Sequence, residues 1–311
     1  WRTRLVGPTS RLHFTGGLAR VSDMAIFGET SVRNDLSDAE NALSGVPGPG
    51  SKVERVWIEH KKCGFWFGVW NQSPAPAGIT LDGLRIRDTM ADGVNLCSGT
   101  TDTVVENCLV RNTGDDGLAV WSPTAGGPSG GGNQFRGNLV QLPWLANGIA
   151  VYGGGARGQG GVILDQNEVR DTVTTGSGIY VAQAFSSWPL TGAVTISRNI
   201  LVRAGAHESD VGGSAGAIRI VSSEGSLAAA TVTFSDNRIV APLASAVSIQ
   251  GGYSVGNLTF TNLLIENLGL ALVADVRSGT KGSATFSGVT GGTFADALWV
   301  NSAGTAFTLS H

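Results

Sequence analysis

Three aspartates carry the chemistry that this sequence could perform. Residues 87–94 are repeated 24 positions later as residues 111–118, which places Asp92 opposite Asp116 and leaves Asp115 one position earlier. A repeat of this length is typical of a solenoid, in which every repeat forms one turn of stacked strands. Because stacked strands lie roughly 4.8 Å apart, the acids of the two repeats are expected to lie side by side.

Carboxylates placed side by side could catalyse the hydrolysis of a glycosidic bond. Asp92 and Asp116 share one phase of the repeat, so we expect them to hold a water molecule between them as general base. Asp115 is offset by one residue and is expected to be the general acid, since the like charges beside it help it to stay protonated. A water between acid and base implies carboxyl separations of roughly 6.5–9.5 Å and inversion at the anomeric carbon.

Two other interpretations of the three acids remain open. They could be the solvated side chains of two Asp-Gly turns, or they could bind calcium, since clustered carboxylates bind hard cations. Mutual repulsion disfavours a cluster without a role, because it destabilises the fold. We therefore expect a catalytic cluster that requires no cofactor and no catalytic metal ion, and we leave a structural calcium ion open.

The composition favours many short strands separated by tight turns. Glycine occupies 46 of 311 positions, only 14% of the residues are charged, and Ser, Thr and Asn are interleaved with Val, Ile and Leu. No Gly-X-Y period is present, which excludes collagen. The net charge of −3 and the lack of a basic cluster longer than Lys61-Lys62 give no reason to expect a nucleic-acid partner, and no apolar run approaches a membrane span.

Regular strands begin at Val53 and predict an all-β fold, a parallel β-helix of about nine or ten coils over residues 53–311. Residues 1–52 are expected to form an irregular first coil or cap, with a long polar loop over residues 31–51 that could overhang the site. Trp1 is not a natural start, so we expect the chain to be a trimmed catalytic region of a secreted protein.

Two further patterns support the alignment of the coils. A polar turn residue recurs before an apolar pair and is expected to form a structural ladder of Asn107, Asn138, Asn167, Asn199, Asn237 and Asn262. In the strand after each glycine, alternation directs apolar residues inward and leaves an outward row of Asn95, Ala119, Ala150, Tyr180 and Arg219. Cys63, Cys97 and Cys108 are interpreted as small buried hydrophobic residues, and a Cys97–Cys108 disulfide is left open.

The outward face is expected to bind a sugar. Ala119 and Ala150 are small and would leave a shallow trough between larger side chains. Near this trough the sequence places the aromatic residues Trp66, Trp70, Trp121 and Tyr152. Aromatic rings pack on the apolar CH face of a pyranose, although the same rings could instead cover hydrophobic surface under loops.

The aspartates and their surroundings resemble glycoside hydrolase family 87, which contains the α-1,3-glucanases (mutanases) and the mycodextranases. The resembling segments are residues 25–29, 33–35, 56–60, 86–88, 91–95, 111–122, 140–143 and 149–154. The resemblance implies a right-handed parallel β-helix, secretion, hydrolysis of α-1,3-glucosidic bonds with inversion, and catalysis by Asp92, Asp115 and Asp116. Two departures are Leu96, where the family more often carries an aromatic residue, and the absence of an N-terminal β-rich module.

The expected substrate contacts surround the acids or lie in the resembling segments. They are Asn95, Trp121, Tyr152, Glu59, His60 and Gln141. The substrate would lie across the coils over Asn95, Ala119 and Ala150. The sequence thus predicts a monomeric, secreted, endo-acting α-1,3-glucan hydrolase whose partner is a polysaccharide, without a nucleic-acid or membrane partner.

Four alternative functions remain. A mycodextranase would cleave alternating α-1,3/α-1,4-glucan. A polygalacturonase-like hydrolase needs Gly-His-Gly and Arg-Ile-Lys motifs for its uronate, whereas His207 is flanked by Ala206 and Glu208, and Val221 follows Arg219-Ile220. A β-elimination lyase would need a Lys or Arg base with calcium, for which Arg219 alone is weak support. A glycan-binding adhesin or fibre would explain the aromatics and the coils but not three acids at one corner.

Overall fold

The computed structural model describes residues 3–33, 38–68, 76–156, 158–172, 174–208 and 213–311. Over these residues the chain is nearly all β and forms a right-handed parallel β-helix of about 10 turns, which confirms the predicted fold class. Successive turns contribute strands to three parallel sheets, so each strand pairs with its equivalents one turn before and after. Trp1, Trp70 and residues 34–35 of the resembling segments lie outside the described residues.

The strand bounds show how regularly the turns repeat. The first sheet contains Thr3–Val6, Met24–Phe27, Trp57–Glu59, Arg85–Thr89, Leu109–Thr113, Leu139–Gln141, Glu168–Arg170, Ile200–Val202, Arg238–Val240 and Leu264–Glu266. The second sheet contains Leu12–Thr15, Leu43–Val46, Phe65–Phe67, Val94–Leu96, Leu118–Trp121, Ile149–Tyr152, Ile179–Gln183, Ile218–Ser222, Ser245–Gly251, Leu272–Val276 and Trp299–Asn301. The third sheet contains Arg20–Ser22, Lys52–Glu54, Thr80–Asp82, Val104–Glu106, Asn133–Arg136, Val162–Asp165, Gly192–Ser197, Ala230–Ser235, Ser254–Thr261, Lys281–Ser287 and Phe307–Ser310. Short 3₁₀ helices span Asp38–Glu40, Thr124–Gly126, Asp296–Leu298 and Gly304–Ala306, and no helix among the described residues is long and apolar enough to cross a membrane.

The alternation of apolar and polar residues directs one face of each sheet into a continuous core. The predicted inward pairs are buried there, as Val94 and Leu96 illustrate. The strand register places the predicted outward residues in one row, Asn95, Ala119, Ala150, Tyr180 and Arg219. A shift of one residue would turn the apolar side chains of a strand toward solvent, so the alternation determines the register.

The asparagine ladder is confirmed at four positions and wrong at two. In the ladder each side-chain amide donates to the side-chain oxygen one turn later, at 2.9–3.0 Å, along Asn138, Asn167, Asn199 and Asn237. Asn107 and Asn262 occupy the preceding turn position instead, each with a φ of 54°, and donate to aspartates. Asparagine suits both uses, because it tolerates a left-handed backbone and also offers a donor and an acceptor.

The N-terminal residues take part in the same three sheets. Leu43–Val46 forms a strand between Leu12–Thr15 and Phe65–Phe67, so the loop predicted over residues 31–51 is wrong there. Leu43 is fully buried, but a strand of four residues contains too little alternation to predict from sequence. The division of the chain at residue 52 stays a prediction.

The three cysteines are buried and form no disulfide. Cys97 and Cys108 are therefore not joined by a disulfide, and the interpretation of the cysteines as small buried side chains is confirmed. Burial raises the pKa of the Cys108 thiol to about 12, because the thiolate would lose its hydration. This thiol is consequently unreactive at neutral pH.

Candidate active site

Two successive turns of the β-helix place the three aspartates at the corner where the first sheet passes into the second. The backbone N–H of Gly93 donates to the backbone oxygen of Asp116 at 3.0 Å, so the two turns stack directly at this corner. One carboxylate oxygen from each of Asp92, Asp115 and Asp116 lies within 4.8 Å of the other two. The predicted juxtaposition of the acids is confirmed, and their catalytic roles stay predictions.

The three carboxylates lie close together at this corner. One oxygen of each carboxylate lies within 4.8 Å of one oxygen of each of the others. A water between acid and base implies roughly 6.5–9.5 Å between whole carboxyl groups, which is a different quantity. The short distances arise because the turns stack at strand spacing and because Asp115 and Asp116 are adjacent in the chain. A distance between single oxygens does not measure the separation of whole carboxyl groups, so the expected separation stays a prediction, and the stereochemistry of a reaction here has to be determined from its product.

The three acids differ in how deeply they are buried. Asp92 and Asp116 are 4% and 3% exposed, whereas the side chain of Asp115 is 24% exposed. Burial, reinforced by the charges of Asp115 and Asp116, raises the pKa of Asp92 well above its usual range. Burial and the charge of Asp115 likewise raise the pKa of Asp116 to about 7. The buried pair can therefore hold a proton near neutral pH.

Asp115 faces the accessible side of the cluster and has a cationic partner. One of its oxygens forms an ion pair with Arg33, which lies 82 residues earlier in the chain. Its other oxygen accepts a hydrogen bond from the backbone N–H of Asp116 at 3.1 Å. Arg33 belongs to a resembling segment but is absent from the predicted site residues, because no local pattern links it to a turn so far along the chain.

The cluster is also compact enough to surround a single cation with carboxylate oxygens. In the structure, however, the Arg33 guanidinium already supplies a positive charge beside Asp115. A structural calcium ion, which the sequence leaves open, stays a prediction.

Asp116 is held by residues of the following turn. Its Oδ1 accepts hydrogen bonds from the backbone N–H and the side-chain amide of Asn147, at 2.8 and 2.9 Å, and its Oδ2 accepts one from the Tyr152 hydroxyl at 2.9 Å. The Asp92 carboxylate accepts a longer bond of 3.3 Å from the side-chain amide of Asn95. Asn147 is absent from the residues predicted from sequence, although it precedes a glycine in the same phase as Asp116 and could have been found by that alignment.

The acids open into a cavity of about 520 Å³ that has an aromatic wall. It is lined by Arg33, Trp66, Asp92, Asn95, Asp115, Asp116, Trp121, Leu145, Ala146, Tyr152, Thr175 and Phe185. The rings of Trp66 and Trp121 meet edge to face at a centroid distance of 6.2 Å, and the Trp121 indole N–H donates to the backbone oxygen of Phe185 at 3.2 Å. Rigid aromatic surface beside carboxylates suits a sugar, which has an apolar CH face and a rim of hydroxyl groups.

The cavity is lined by three of the six predicted substrate contacts, Asn95, Trp121 and Tyr152. Tyr152 is only 8% exposed and directs its hydroxyl to a carboxylate, so its observed partner is the acid cluster. Ala119 and Ala150 are fully buried in a small apolar cluster with Tyr152 and Tyr180. The open trough predicted over these two alanines is therefore wrong, because larger neighbouring side chains cover them.

The other three predicted contacts lie away from the cavity. Glu59 is on the outer face of the first sheet, where its carboxylate accepts a hydrogen bond from Arg87 at 2.6 Å. Gln141 occupies the same row of that face, and His60 follows Glu59 in a turn with a φ of 53°. These residues do not line the cavity because a corner of the β-helix separates it from that face, so their predicted contact with substrate has no support in the geometry.

Replacement of Asp92 by asparagine is expected to stabilise the protein at pH 8. The pKa of Asp92 in the folded state lies above its unfolded value, so the folded state binds the proton more tightly and loses stability as the pH rises between the two values. An amide carries no charge and removes this loss. The melting temperature of Asp92→Asn should exceed that of the wild type by about 3–5 °C at pH 8 and match it at pH 4. Equal melting temperatures at both pH values would contradict a destabilising charge at this position.

Comparisons with known proteins identify one family and several related structures. The family model described as the α-1,3-glucanase catalytic domain D2 matches residues 1–194. The fold superposes on the catalytic domain of Agl-KA with a TM-score of 0.82, at 27% identity, over 100% of this chain and 56% of that chain. It superposes on the catalytic unit of the thermostable GH87 α-1,3-glucanase from Streptomyces thermodiastaticus strain HF3-3 with a TM-score of 0.78, at 27% identity, over 99% of this chain and 61% of that chain.

A more distant relative has the same fold. The catalytic domain of a GH87 α-1,3-glucanase in complex with nigerose gives a TM-score of 0.75, at 21% identity, over 99% of this chain and 58% of that chain. The chain thus spans less than two thirds of the length of each of these three structures. No curated protein matches it by sequence.

The family match includes the whole acid corner. Residues 1–194 make up more than half of the 311 residues and contain the three aspartates together with Arg33, Asn147 and Tyr152. The turns after residue 194 continue the same three sheets. The chain therefore belongs to the family of α-1,3-glucanase catalytic domains, as its resemblance to glycoside hydrolase family 87 implies.

Proposed function

We propose that this chain is the catalytic region of a secreted, monomeric, endo-acting hydrolase that cleaves the α-1,3-glucosidic bonds of α-1,3-glucan with inversion. The observation that carries the proposal is a cluster of one accessible and two buried aspartates beside an aromatic-lined cavity. Family membership supports the reaction class. The α-1,3-glucanase from Streptomyces thermodiastaticus, at 27% identity, supports an α-1,3-linked glucan as substrate.

The positions of the three acids give them different catalytic roles. Asp115 is the most exposed of the three and can reach a glycosidic oxygen, so it donates the proton to the leaving group. A water bound between Asp92 and Asp116 attacks the anomeric carbon from the opposite face and loses a proton to this pair. The bond from the anomeric carbon to the leaving oxygen breaks as the bond to the water oxygen forms, and each cleavage releases one reducing end.

Asp115 can act as an acid only after its ion pair with Arg33 changes. In the structure the Arg33 guanidinium occupies one carboxylate oxygen of Asp115. The Arg33 side chain is 41% exposed and lines the cavity, so an entering glucan chain can displace it. Once it is displaced, the Asp115 carboxyl group can contact the glycosidic oxygen of the leaving group.

The lining of the cavity favours a neutral sugar over a uronate. Within the described part of the chain, Arg33 is the one basic residue that lines the cavity, and it pairs with Asp115. A uronate carboxylate would therefore lie among aspartates and be repelled by them. The indole rings of Trp66 and Trp121 instead offer apolar surface to the CH faces of glucose units.

Release of reducing ends from insoluble α-1,3-glucan tests the proposal, with polygalacturonate and alternating α-1,3/α-1,4-glucan as comparison substrates. We expect fastest release from α-1,3-glucan, none from polygalacturonate, and oligosaccharide products, as endo cleavage produces. Proton NMR should show the β-anomer first, because inversion converts an α bond into a β product. Initial α-anomer would indicate retention. Preference for the alternating glucan would indicate a mycodextranase, and binding without cleavage a glycan-binding solenoid.

A further inference from the structure

Asn147 and Tyr152 surround one carboxylate of the cluster with hydrogen-bond donors. Three bonds of 2.8–2.9 Å from these two buried residues end on Asp116. The side-chain oxygen of Asn147 accepts the backbone N–H of Ser177 at 2.8 Å, which orients the amide so that its nitrogen faces Asp116. The amide nitrogen also lies 3.1 Å from the Tyr152 hydroxyl oxygen. The donors are therefore held in place by the following turn and by each other.

These donors distinguish the two buried acids. Hydrogen bonds from neutral donors stabilise a carboxylate more than they stabilise a carboxylic acid. Asp116 accepts three such bonds from the next turn, whereas Asp92 accepts one of 3.3 Å from Asn95 among the described residues. A proton shared between the two buried acids therefore resides on Asp92, and Asp116 carries the negative charge.

We propose that Asn147 and Tyr152 are positioning residues that keep Asp116 ionised, which makes Asp116 the carboxylate that accepts the proton of the attacking water. This inference rests on the proposed function and narrows its general base from the pair to a single residue. As the water oxygen bonds to the anomeric carbon, its proton passes to Asp116, while Asp92 keeps its own proton and helps to orient the water.

The groups around Asp116 decide the pH at which this assignment operates. The titratable and charged groups that face Asp116 and its partners are Asp92, Asp115, Arg33, Cys63, Tyr152 and Tyr180. Burial and the charge of Asp115 raise the pKa of Asp116 to about 7, and the bonds from Asn147 and Tyr152 oppose that rise. Loss of one donor should raise this pKa further, so that a larger share of Asp116 is protonated and inactive at pH 6.

The variants Tyr152→Phe and Asn147→Ala test the assignment through the pH dependence of kcat/KM on soluble α-1,3-linked oligosaccharides. Each should move the acidic limb upward by about one pH unit, since one hydrogen bond to a charged group changes its ionisation about tenfold. The rate should fall about tenfold at pH 6 and recover at high pH. Tyr180→Phe is the matched control, because its ring contacts that of Tyr152 at 5.4 Å and it is not a donor to Asp116. The Tyr180→Phe variant should not shift the acidic limb of the pH profile of kcat/KM.

A second readout does not depend on catalysis. In protein labelled with ¹³C at the aspartate carboxyl carbons, the Asp116 signal, assigned from its loss in Asp116→Asn, should titrate at higher pH in Tyr152→Phe than in the wild type. If the wild type cleaves no glucan, the proposed function fails while this titration still decides the state of Asp116. The inference would be overturned if, in both Tyr152→Phe and Asn147→Ala, neither the acidic limb of kcat/KM nor the titration of the Asp116 signal moved. It would also be overturned if these variants lost the same fraction of their rate at every pH.

Discussion

Asp115→Asn is expected to lower the release of reducing ends from α-1,3-glucan by about three orders of magnitude. Asp115 is the accessible acid of the cluster, and an amide cannot donate a proton to the leaving oxygen. A substrate whose leaving group needs no proton, such as nigerosyl fluoride, should lose far less of its rate. Initial rates on both substrates measure the difference. Equal losses on glucan and on the fluoride would contradict the role of Asp115 as general acid.

Asp88→Asn is a matched control for this experiment. Asp88 lies in the same repeated segment but does not line the cavity, and its carboxylate accepts a hydrogen bond from the Asn112 amide at 2.6 Å. Its φ of 54° is one that asparagine tolerates, so the replacement should fold normally. This variant should retain activity close to that of the wild type, and sedimentation with insoluble glucan should show that Asp115→Asn still binds the polymer.

Asp116→Asn is expected to cause a loss of similar size, about 10³-fold in kcat, because an amide cannot accept the proton of the attacking water. Azide attacks carbon without losing a proton and should therefore restore turnover of an activated substrate such as nigerosyl fluoride. Inversion predicts a glycosyl azide of β configuration, which NMR of the product identifies. An α-glycosyl azide would instead indicate a double displacement, and unchanged activity without azide would remove Asp116 from the mechanism.

The sequence predicts the fold and the acid cluster for the same physical reason. Stacked strands repeat at one spacing, so residues of equal phase, such as Asp92 and Asp116, must become neighbours once the coils are aligned. Asn147 has the same phase in the next turn, so the same alignment could have predicted its position beside Asp116. Its neighbour in the site, Tyr152, was predicted from the outward alternation of the second sheet. The residues of the site that follow the repeat can therefore be predicted from the sequence.

The lining of the cavity was predicted less well, because it depends on more than the phase of the repeat. Glu59 and Gln141 lie in segments that resemble the family but belong to the outer face of the first sheet, around a corner from the cavity. Phe185, which the sequence did not single out, lines the cavity from a segment between two sheets. Segments of unequal length leave the coils at these places, and no period describes where they pack.

By itself, the sequence determined that the chain winds into a β-helix, that its apolar residues face inward, and that three aspartates meet at one corner. Only the tertiary structure decided how the acids differ. It buries Asp92 and Asp116 under neighbouring side chains, leaves Asp115 accessible, and brings Arg33 to it across 82 residues. The physical reason is that strand register follows from local alternation, whereas burial and charge pairing depend on every segment that packs around the corner.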